Sequence, residues 1–285
     1  MKGSLFWQVA TYIWCYPPNR GQRLRRLCLA VFWQLHKRLI GLPLIYRLDN
    51  GFRFVAYPQS IGASYAFYVS EYDYPFIRFH RSWLSGQGTI LDVGANIGLY
   101  ALSLATHCKS AILVEPDPVA FEMMRENVEL NRLASAFRLF QFAAGDECKD
   151  VFLSQQDTGW PSNKVSANDG LPVRQLTVDE ILRSPVVQDS PRVEFVKIDV
   201  EGYELNVLQG MTSLIDGPSP PCLIQFERLA QTPIQPLLEF FQVRGWTVFA
   251  VGPDCRPSTA LSAIHGAHDL MATPLPLLGF DRAIV

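Results

Sequence analysis

One short stretch of this chain combines an acidic residue, an asparagine and two glycines in a pattern that can bind a small molecule. It reads Asp92-Val-Gly94-Ala95-Asn96-Ile-Gly98, after an apolar segment of strand type and before an apolar segment of helix type. Glycine has no Cβ and tolerates positive φ, so the backbone can turn tightly and approach a ligand. Strand, glycine-rich turn and helix are the local plan of a nucleotide-binding βα unit. We therefore expect Asp92, Gly94, Ala95, Asn96 and Gly98 to bind a nucleotide.

Acidic side chains stand at the ends of several other predicted strands. In order, they are Glu115, Asp146, Asp199 with Glu201, and Glu227. In doubly wound sheets, ligands bind outside the carboxyl ends of the strands. One acidic strand end is commonly a helix cap, whereas a series of them indicates a site. Glu115 also follows Asp92 at close to the roughly 20-residue offset at which an acid binds ribose hydroxyls.

Two classes of nucleotide are candidates for the ligand of this turn. Dinucleotide sites use Gly-x-Gly-x-x-Gly to bring a helix N-terminus against a pyrophosphate. Here Asn96 replaces the middle glycine, and the carboxylate of Asp92 would repel a pyrophosphate. An acid instead suits a ligand with an amino group and a ribose but no phosphate, such as S-adenosylmethionine. Its ammonium would approach Asp92, its ribose Glu115, and its adenine the loop that contains Ala143 and Asp146.

Three motifs, taken in order, resemble the FkbM family of S-adenosylmethionine-dependent methyltransferases. They are Asp92-Val-Gly-Ala-Asn-Ile-Gly98, Glu115-Pro-Asp-Pro118 and Lys197-Ile-Asp-Val-Glu-Gly-Tyr-Glu204, and Thr177-Val-Asp-Glu180 resembles the family's segment before the fourth strand. The resemblance covers residues 88–275 and implies a class I methyltransferase fold that methylates mainly hydroxyls of sugars or natural products. Carried over by position, it implies that Asp92, Gly94, Asn96, Gly98 and Glu115 bind the cofactor. It places Asp199 and Glu201 beside the transferred methyl group.

Asp199 and Glu201 are the candidates for the base that such a reaction needs. A sulfonium already carries an activated methyl group, so the protein must align a hydroxyl and remove its proton. Alternation puts Lys197 on the same strand face as Asp199, although Lys197 could equally be a surface lysine. Glu201 could equally cap the following helix. Asp199 could also hold a divalent metal with Glu227, since carboxylates suit Mg²⁺, but we favour a site without metal.

The elements that must position these residues alternate between strand and helix, which predicts a mostly parallel Rossmann-like α/β sheet with helices on both faces. Predicted strands follow the central one at residues 110–115, 138–143, 193–200 and 222–226, with a terminal pair at 246–251 and 269–273. Predicted helices cover residues 99–105, 118–131, 176–182, 203–211 and 236–244. Residues 151–170 are predicted to form a short strand and an exposed loop.

Residues 1–85 are predicted to form an extension that precedes a methyltransferase domain at residues 86–285. Residues 22–40 have the pattern of a basic amphipathic helix. Asn50-Gly51 predicts a β-hairpin within residues 44–57, and residues 74–84 are helix-like. The aromatic-rich segment 65–83 could form a lid or an acceptor pocket, but core filling is the favoured interpretation.

Every charged side chain before Asp49 is a lysine or an arginine. Residues 20–40 could therefore lie on an anionic membrane with Trp7, Trp14 and Trp33 at headgroup level. A helix packed on the main domain with a solvated basic face is favoured. No apolar run reaches the ~18–20 residues of a membrane span, and no secretory cleavage pattern is present. We expect a cytoplasmic protein, with at most peripheral contact at the inner membrane face.

The composition sets further limits on function. The 285 residues are 48% hydrophobic and 18% charged, with a net charge of -2, so nothing attracts the whole chain to nucleic acid. The fourth strand is not followed by the Asn-Pro-Pro-Tyr segment of DNA amine methyltransferases. The six cysteines form no CxxC pair, which favours reduced thiols. The sequence does not predict an oligomeric state.

Taken together, the sequence predicts an enzyme that transfers a methyl group from S-adenosylmethionine to a hydroxyl of a sugar, glycan or other small molecule. Two alternatives stay open. One is an NAD-type oxidoreductase, which Asp92 and Asn96 argue against. The other is a membrane-surface binding protein that keeps a methyltransferase fold without activity.

Overall fold

The N-terminal elements form two helices, a β-hairpin and two further helices in a computed structural model that describes residues 5–154, 164–166, 169–229 and 232–276. These elements are α1 (Leu5–Cys15), α2 (Arg23–Leu39), β1 (Leu44–Arg47), β2 (Arg53–Ala56), α3 (Ile61–Tyr68) and α4 (Phe76–Trp83). The strands β1 and β2 pair antiparallel across the Asn50-Gly51 turn. The predicted amphipathic helix, hairpin and helix at 74–84 are confirmed, whereas α1 and α3 were not predicted.

Strands and helices alternate along the rest of the chain. The elements are β3 (Thr89–Val93), α5 (Leu99–Leu104), β4 (Ser110–Val114), α6 (Pro118–Leu130), β5 (Phe137–Phe140), β6 (Ala143–Ala144), β7 (Lys149–Ser154), β8 (Lys164–Ser166), β9 (Leu171–Leu176), α7 (Val178–Leu182), β10 (Val193–Ile198), α8 (Glu204–Gln209), α9 (Thr212–Ile215), β11 (Leu223–Glu227), α10 (Gln235–Gln242), β12 (Thr247–Val251), β13 (Pro257–Ser258), α11 (Leu261–Gly266) and β14 (Asp269–Thr273). Asp117 caps α6 by accepting hydrogen bonds from the backbone of Val119 and Ala120, and Pro118 occupies its first turn, as predicted.

The main sheet, within the described residues, has the strand order β13-β12-β14-β11-β10-β3-β4-β5. Its strands β5, β4, β3, β10 and β11 are parallel, and β14 runs antiparallel between β11 and β12. Alternate residues of β3 and β10 enter two separate apolar cores, one on each face of the sheet. Helices pack on both faces and complete these cores. The predicted class I methyltransferase fold is confirmed by this order and its reversed strand.

One predicted strand is wrong. The segment 138–143 was expected to be continuous, but β5 ends at Phe140 and the chain leaves the main sheet there. Ala143 and Ala144 pair instead with β9 in a second sheet of order β6-β9-β7-β8. The predicted strand within 151–170 is present as β7, and β8 pairs with it. The exposed loop that was also predicted within 151–170 falls largely on residues 155–163 and 167–168, which lie outside the described residues.

The N-terminal elements share an apolar core with α5 and α6. Trp33 is fully buried, its ring stacks on Phe67 at 4.4 Å, and its indole N–H donates to Ser64. Leu99 of α5 and Met123 of α6 complete this core from the other side. The alternative that places Trp33 at headgroup level is therefore wrong, because its ring fills the junction between α2 and α3.

None of the described helices combines the length and apolar character that crossing a bilayer requires. All six cysteines carry free thiols.

Candidate active site

The glycine-rich turn is held against two strand ends. The backbone N–H groups of Gly94 and Ala95 both donate to the carbonyl of Val114, at 2.9 and 3.0 Å. Gly94 has a φ of +82°, and a Cβ there would lie 1.8 Å from the backbone oxygen of Asp199. Only glycine fits this position, since both the conformation and the close approach exclude a side chain.

Asn96 and Gly98 complete the turn in the same left-handed conformation. Asn96 has a φ of +50°, and its side-chain oxygen accepts a hydrogen bond from the N–H of Ile97 at 2.9 Å. Asparagine tolerates this conformation because its short amide bonds to the local backbone. Gly98, with a φ of +80°, is the N-cap of α5 and packs on Met124. Gly98 therefore lets the chain pass from the turn into α5 while it lies close to Met124.

Glu115 lies directly after β4 and is buried. Its two carboxylate oxygens accept the backbone N–H groups of Asn96, at 2.7 Å, and of Asp117, at 2.9 Å. Burial raises the pKa of Glu115 to about 7, against the opposing effect of these two donors. Each oxygen of a carboxylate has a second acceptor position, so Glu115 can still accept from a pair of hydroxyl groups.

A cavity of about 120 Å³, the Glu115 cavity, opens beside this carboxylate. Besides Glu115, its polar wall includes Asn96, Asp199 and Glu201, and apolar side chains form the rest: Val93, Val114, Pro116, Phe142, Ala143, Ala144, Leu153 and Val200. Of the predicted adenine loop, Ala143 lines the cavity. Asp146 does not; its carboxylate lies 3.4 Å from the amide nitrogen of Gln175 and 3.9 Å from the ammonium of Lys149.

A second cavity of about 380 Å³, the Lys197 cavity, lies on the other side of the turn. Its wall is dominated by hydrogen-bonding side chains: Tyr72, Asp73, Asp92, Asn96, Tyr100, Lys197, Asp199, Glu227, His268 and Asp269. Ala95 contributes to the same wall. Gly94, Asn96 and Asp199 line both cavities, so Asp199 stands where the two spaces meet.

Lys197 and Asp199 form a buried ion pair. The ammonium lies 2.7 Å from the Asp199 carboxylate and 4.9 Å from the centre of the Tyr100 ring. Lys197 is 7% exposed, so the surface-lysine interpretation is wrong. Burial alone would lower the pKa of Lys197, but the carboxylates of Asp199 and Asp92 hold it above its ordinary value. Burial opposes ionisation of Asp199 too, yet Lys197 keeps the pKa of that carboxyl below its ordinary value.

The side chains of Glu227 and Asp199 are hydrogen-bonded to each other. Burial and the hydrogen bond to Asp199 raise the pKa of Glu227 to about 10, so Glu227 is the protonated member of the pair. The His268 ring nitrogen Nδ1 lies 3.1 Å from Glu227 and 3.5 Å from Asp269, and its side chain is 58% exposed. In the described part of the chain, no three His, Cys, Asp or Glu side chains are grouped to hold a metal ion.

Asp92 is completely buried in the floor of the Lys197 cavity. Neither carboxylate oxygen makes a hydrogen bond of normal geometry with a described group, although the backbone N–H of Ala101 lies nearby. Burial raises the pKa of Asp92 to about 6, and Lys197 opposes this shift. A buried carboxylate with unfilled acceptor positions costs free energy unless a donor arrives, which suits a cationic ligand group.

Several residues of this site were missed by sequence reasoning. Tyr72 and Asp73 come from the connection between α3 and α4, and Asp269 and His268 come from the start of β14. Behind them, Gln225 accepts hydrogen bonds from His80 and Tyr100 and donates to Asp269 at 2.9 Å. A glutamine between apolar residues of a core strand was the available signal, since such residues need buried partners.

Comparison with known proteins agrees with the geometry. The family model described as the Methyltransferase FkbM domain matches residues 92–245. Hexuronic acid methyltransferase AglP of Haloferax volcanii is 30% identical over 125 residues, which cover 44% of this chain and 50% of that protein. The chain therefore spans about half the length of this curated relative.

Solved structures with a similar arrangement include two methyltransferases. The precorrin-6y C5,15-methyltransferase of Geobacter metallireducens has a TM-score of 0.38 at 9% identity, covering 72% of this chain and 87% of that one. The tRNA (uracil-54, C5)-methyltransferase of Pyrococcus abyssi has a TM-score of 0.41 at 15% identity, covering 81% and 43%. Because the family match spans more than half of the sequence and contains Asp92, Glu115, Asp199 and Glu201, the chain belongs to the FkbM methyltransferase family.

Proposed function

We propose that this protein transfers a methyl group from S-adenosylmethionine to a hydroxyl of a sugar, glycan or other small molecule. The observation that carries the proposal is the position of Asp199. It lines both the Glu115 cavity and the Lys197 cavity, so one carboxylate can face a cofactor and an acceptor together. Methyl transfer needs this arrangement, because donor and acceptor must meet in line.

The residues present fit S-adenosylmethionine. Gly94 lets the turn and the Asp199 backbone come together without a clash, Glu115 can accept ribose hydroxyls, and the unpaired Asp92 can receive the ammonium group. Ala143 and its apolar neighbours offer a surface for adenine. When bound, this cofactor supplies a methyl group already activated on a sulfonium. A dinucleotide fits less well, since Asp92 and Asp199 would face its pyrophosphate.

The Lys197 cavity suits an acceptor with several hydroxyl groups. Carboxylates and the Tyr72 and Tyr100 rings line it, so hydroxyl donors find acceptors and sugar faces find rings to pack on. The related Haloferax volcanii protein is named for a hexuronic acid, so uronic-acid sugars are the first acceptors to test. The open question of oxygen against nitrogen is decided by identifying the product.

Asp199 is the proposed base. Lys197 keeps it ionised, so its carboxylate can orient the acceptor hydroxyl and take the proton as the oxygen becomes methylated. Glu227 is hydrogen-bonded to Asp199, and His268 connects Glu227 to solvent. The proton gained by Asp199 can thus be balanced by release through Glu227 and His268. Glu201, across the Glu115 cavity, is the second candidate.

Calorimetric titration with S-adenosylhomocysteine tests the cofactor. We expect the wild type to bind, and Glu115→Ala to bind about tenfold or more weakly, because hydrogen bonds to a charged group are worth ~1.5–3 kcal/mol. Glu239→Ala, which removes an exposed glutamate on α10, is the matched control and should bind like the wild type. Circular dichroism checks that both variants fold.

Each outcome is decisive. If the wild type binds NADH but not S-adenosylhomocysteine, the protein is an oxidoreductase and the proposal fails. If Glu115→Ala binds normally, Glu115 has no ribose role. Transfer of a labelled methyl group to uronic-acid sugars, neutral sugars and amines then identifies the acceptor, and binding without any transfer would favour the inactive membrane-surface alternative.

A further inference from the structure

The two N-terminal helices present an apolar surface to solvent. On α2, the outward residues are Leu24, Cys28, Val31, Phe32, Leu35 and Leu39, and on α1 they include Phe6, Trp7 and Trp14. Phe32 is 51% exposed, Trp7 66% and Leu39 79%. We call this surface the α1–α2 face. Single exposed apolar residues are ordinary, but this many on two helices that follow one another in the chain indicate an interaction site.

The opposite side of α2 is already fully occupied. Arg26, Ala30 and Trp33, at helical spacing, are buried against α3 and the β-hairpin. Since the packed stripe and the exposed stripe lie on opposite sides of one helix, the outward residues are not an extension of the core. The helix has two apolar sides, and the fold covers one of them.

The charge around this face is uniformly positive. Arg20, Arg25 and Arg38 are exposed and form no ion pair with any described residue. The Arg23 guanidinium lies 5.0 Å from the centre of the Trp14 ring, at the boundary between α1 and α2. No acidic residue precedes Asp49, and Asp49 itself is paired with the buried Arg26. The apolar surface is therefore bordered by unpaired cations.

We propose that the α1–α2 face binds the surface of a membrane that contains anionic phospholipids. Helices that lie in a bilayer interface combine an apolar face, aromatic residues and flanking arginine or lysine, as this face does. A second copy of the chain is a poorer occupant, because docking two such faces would bring cations against cations. The proposal does not depend on the substrate of the enzyme.

Vesicle flotation of the full chain tests this proposal. The probes are phosphatidylcholine vesicles with and without phosphatidylglycerol. The wild type should float with the anionic vesicles, and binding should weaken as salt is raised, since exposed charges are screened. Phe32→Ser with Leu35→Ser, and separately Arg25→Glu with Arg38→Glu, should each reduce binding about tenfold or more.

The matched control changes exposed apolar residues elsewhere. Val243→Ser with Leu261→Ser alters side chains that are 77% and 68% exposed at the C-cap of α10 and on α11, and this variant should float like the wild type. Thermal melting checks that all variants fold. Failure of the wild type to bind anionic vesicles would overturn the proposal, as would equal loss in the control. A self-association that Phe32→Ser with Leu35→Ser abolishes, without vesicle binding, would assign the face to a second copy.

Discussion

Asp199 and Glu201 are two positions apart in the sequence but occupy different surroundings. Asp199 pairs with Lys197, is hydrogen-bonded to Glu227 and lines both cavities. Glu201 adopts a φ of +55° and lines the Glu115 cavity. Their adjacency in the motif therefore does not make them equivalent candidates for the base, and substitution can separate them.

Asp199→Asn is expected to lower kcat by about 10²–10⁴-fold, the range that general-base catalysis contributes. Its affinity for S-adenosylhomocysteine should stay near the wild-type value, because the change affects a transition-state interaction. Steady-state kinetics with the identified acceptor measure the first quantity and calorimetry the second. Glu201→Gln should retain most of kcat; the reverse order between the two variants would make Glu201 the base.

Glu227 predicts a dependence of stability on pH. The pKa of Glu227 is about 10 in the folded protein, whereas an ordinary glutamate has a pKa of 4.5. Between these two pH values the folded form therefore holds a proton that the unfolded form has lost. Stability should therefore fall as pH rises, by up to about 1.4 kcal/mol per pH unit. Glu227→Gln should flatten this slope in urea unfolding between about pH 6 and 8. An unchanged slope, as expected for the exposed control Glu239→Gln, would contradict the raised pKa of Glu227.

At the scale of elements, the turn between β3 and α5 depends on a glycine that packs directly against the Asp199 backbone. Gly94 lies in this turn, and Gly86 lies in the loop before β3; both have positive φ. A Cβ on Gly94 would clash with the Asp199 backbone, whereas a Cβ on Gly86 would meet nothing within 4 Å. Substituting alanine at these two positions separates the free-energy cost of the left-handed conformation from the cost of a steric clash.

Gly86→Ala should cost about 1–2 kcal/mol of unfolding free energy, from its left-handed conformation alone, and should leave S-adenosylhomocysteine binding intact. Gly94→Ala should cost more and abolish binding, because either the turn or Asp199 must move. Urea unfolding and calorimetry give the two measurements. Normal binding by Gly94→Ala would show that the turn does not hold the cofactor.

At the scale of the whole molecule, residues before β3 pack against the elements that follow it. Trp33 and Phe54 share a core with Leu99 and Met123, so the predicted boundary at residue 85 crosses packed side chains. We propose that the extension and the methyltransferase domain unfold together. Deleting residues 1–43 would remove Trp33 from this core, so point substitutions on the α1–α2 face test membrane binding more cleanly.

Trp33→Ala should lower the free energy of unfolding by about 3–5 kcal/mol, the usual cost of emptying a buried tryptophan site. Trp14→Ala, on the exposed side, should change it by less than about 0.5 kcal/mol. Urea unfolding followed by circular dichroism should show one transition for both variants. Two transitions, with the second unaffected by Trp33→Ala, would show independent domains.

Local rules explain why much of this molecule could be predicted from its sequence. Positive φ favours glycine and asparagine, alternation sets strand faces, and caps mark helix starts; these rules placed the turn, Glu115, Asp199 and the helix that begins at Pro118. The same rules failed at residues 138–143. An apolar run does not show at which residue a strand leaves its sheet, since its hydrogen-bond partners belong to distant segments.

The sequence by itself determined the family, the alternation of strands and helices after residue 88, and the acidic strand ends. The tertiary structure alone decided which side of α2 is covered, because an amphipathic pattern does not show which element packs against the helix. It also decided that Tyr72, Asp73, Glu227 and His268 meet around Lys197. Those residues come from distant parts of the chain, and local periodicity carries no information about which strand ends and loops are neighbours in space.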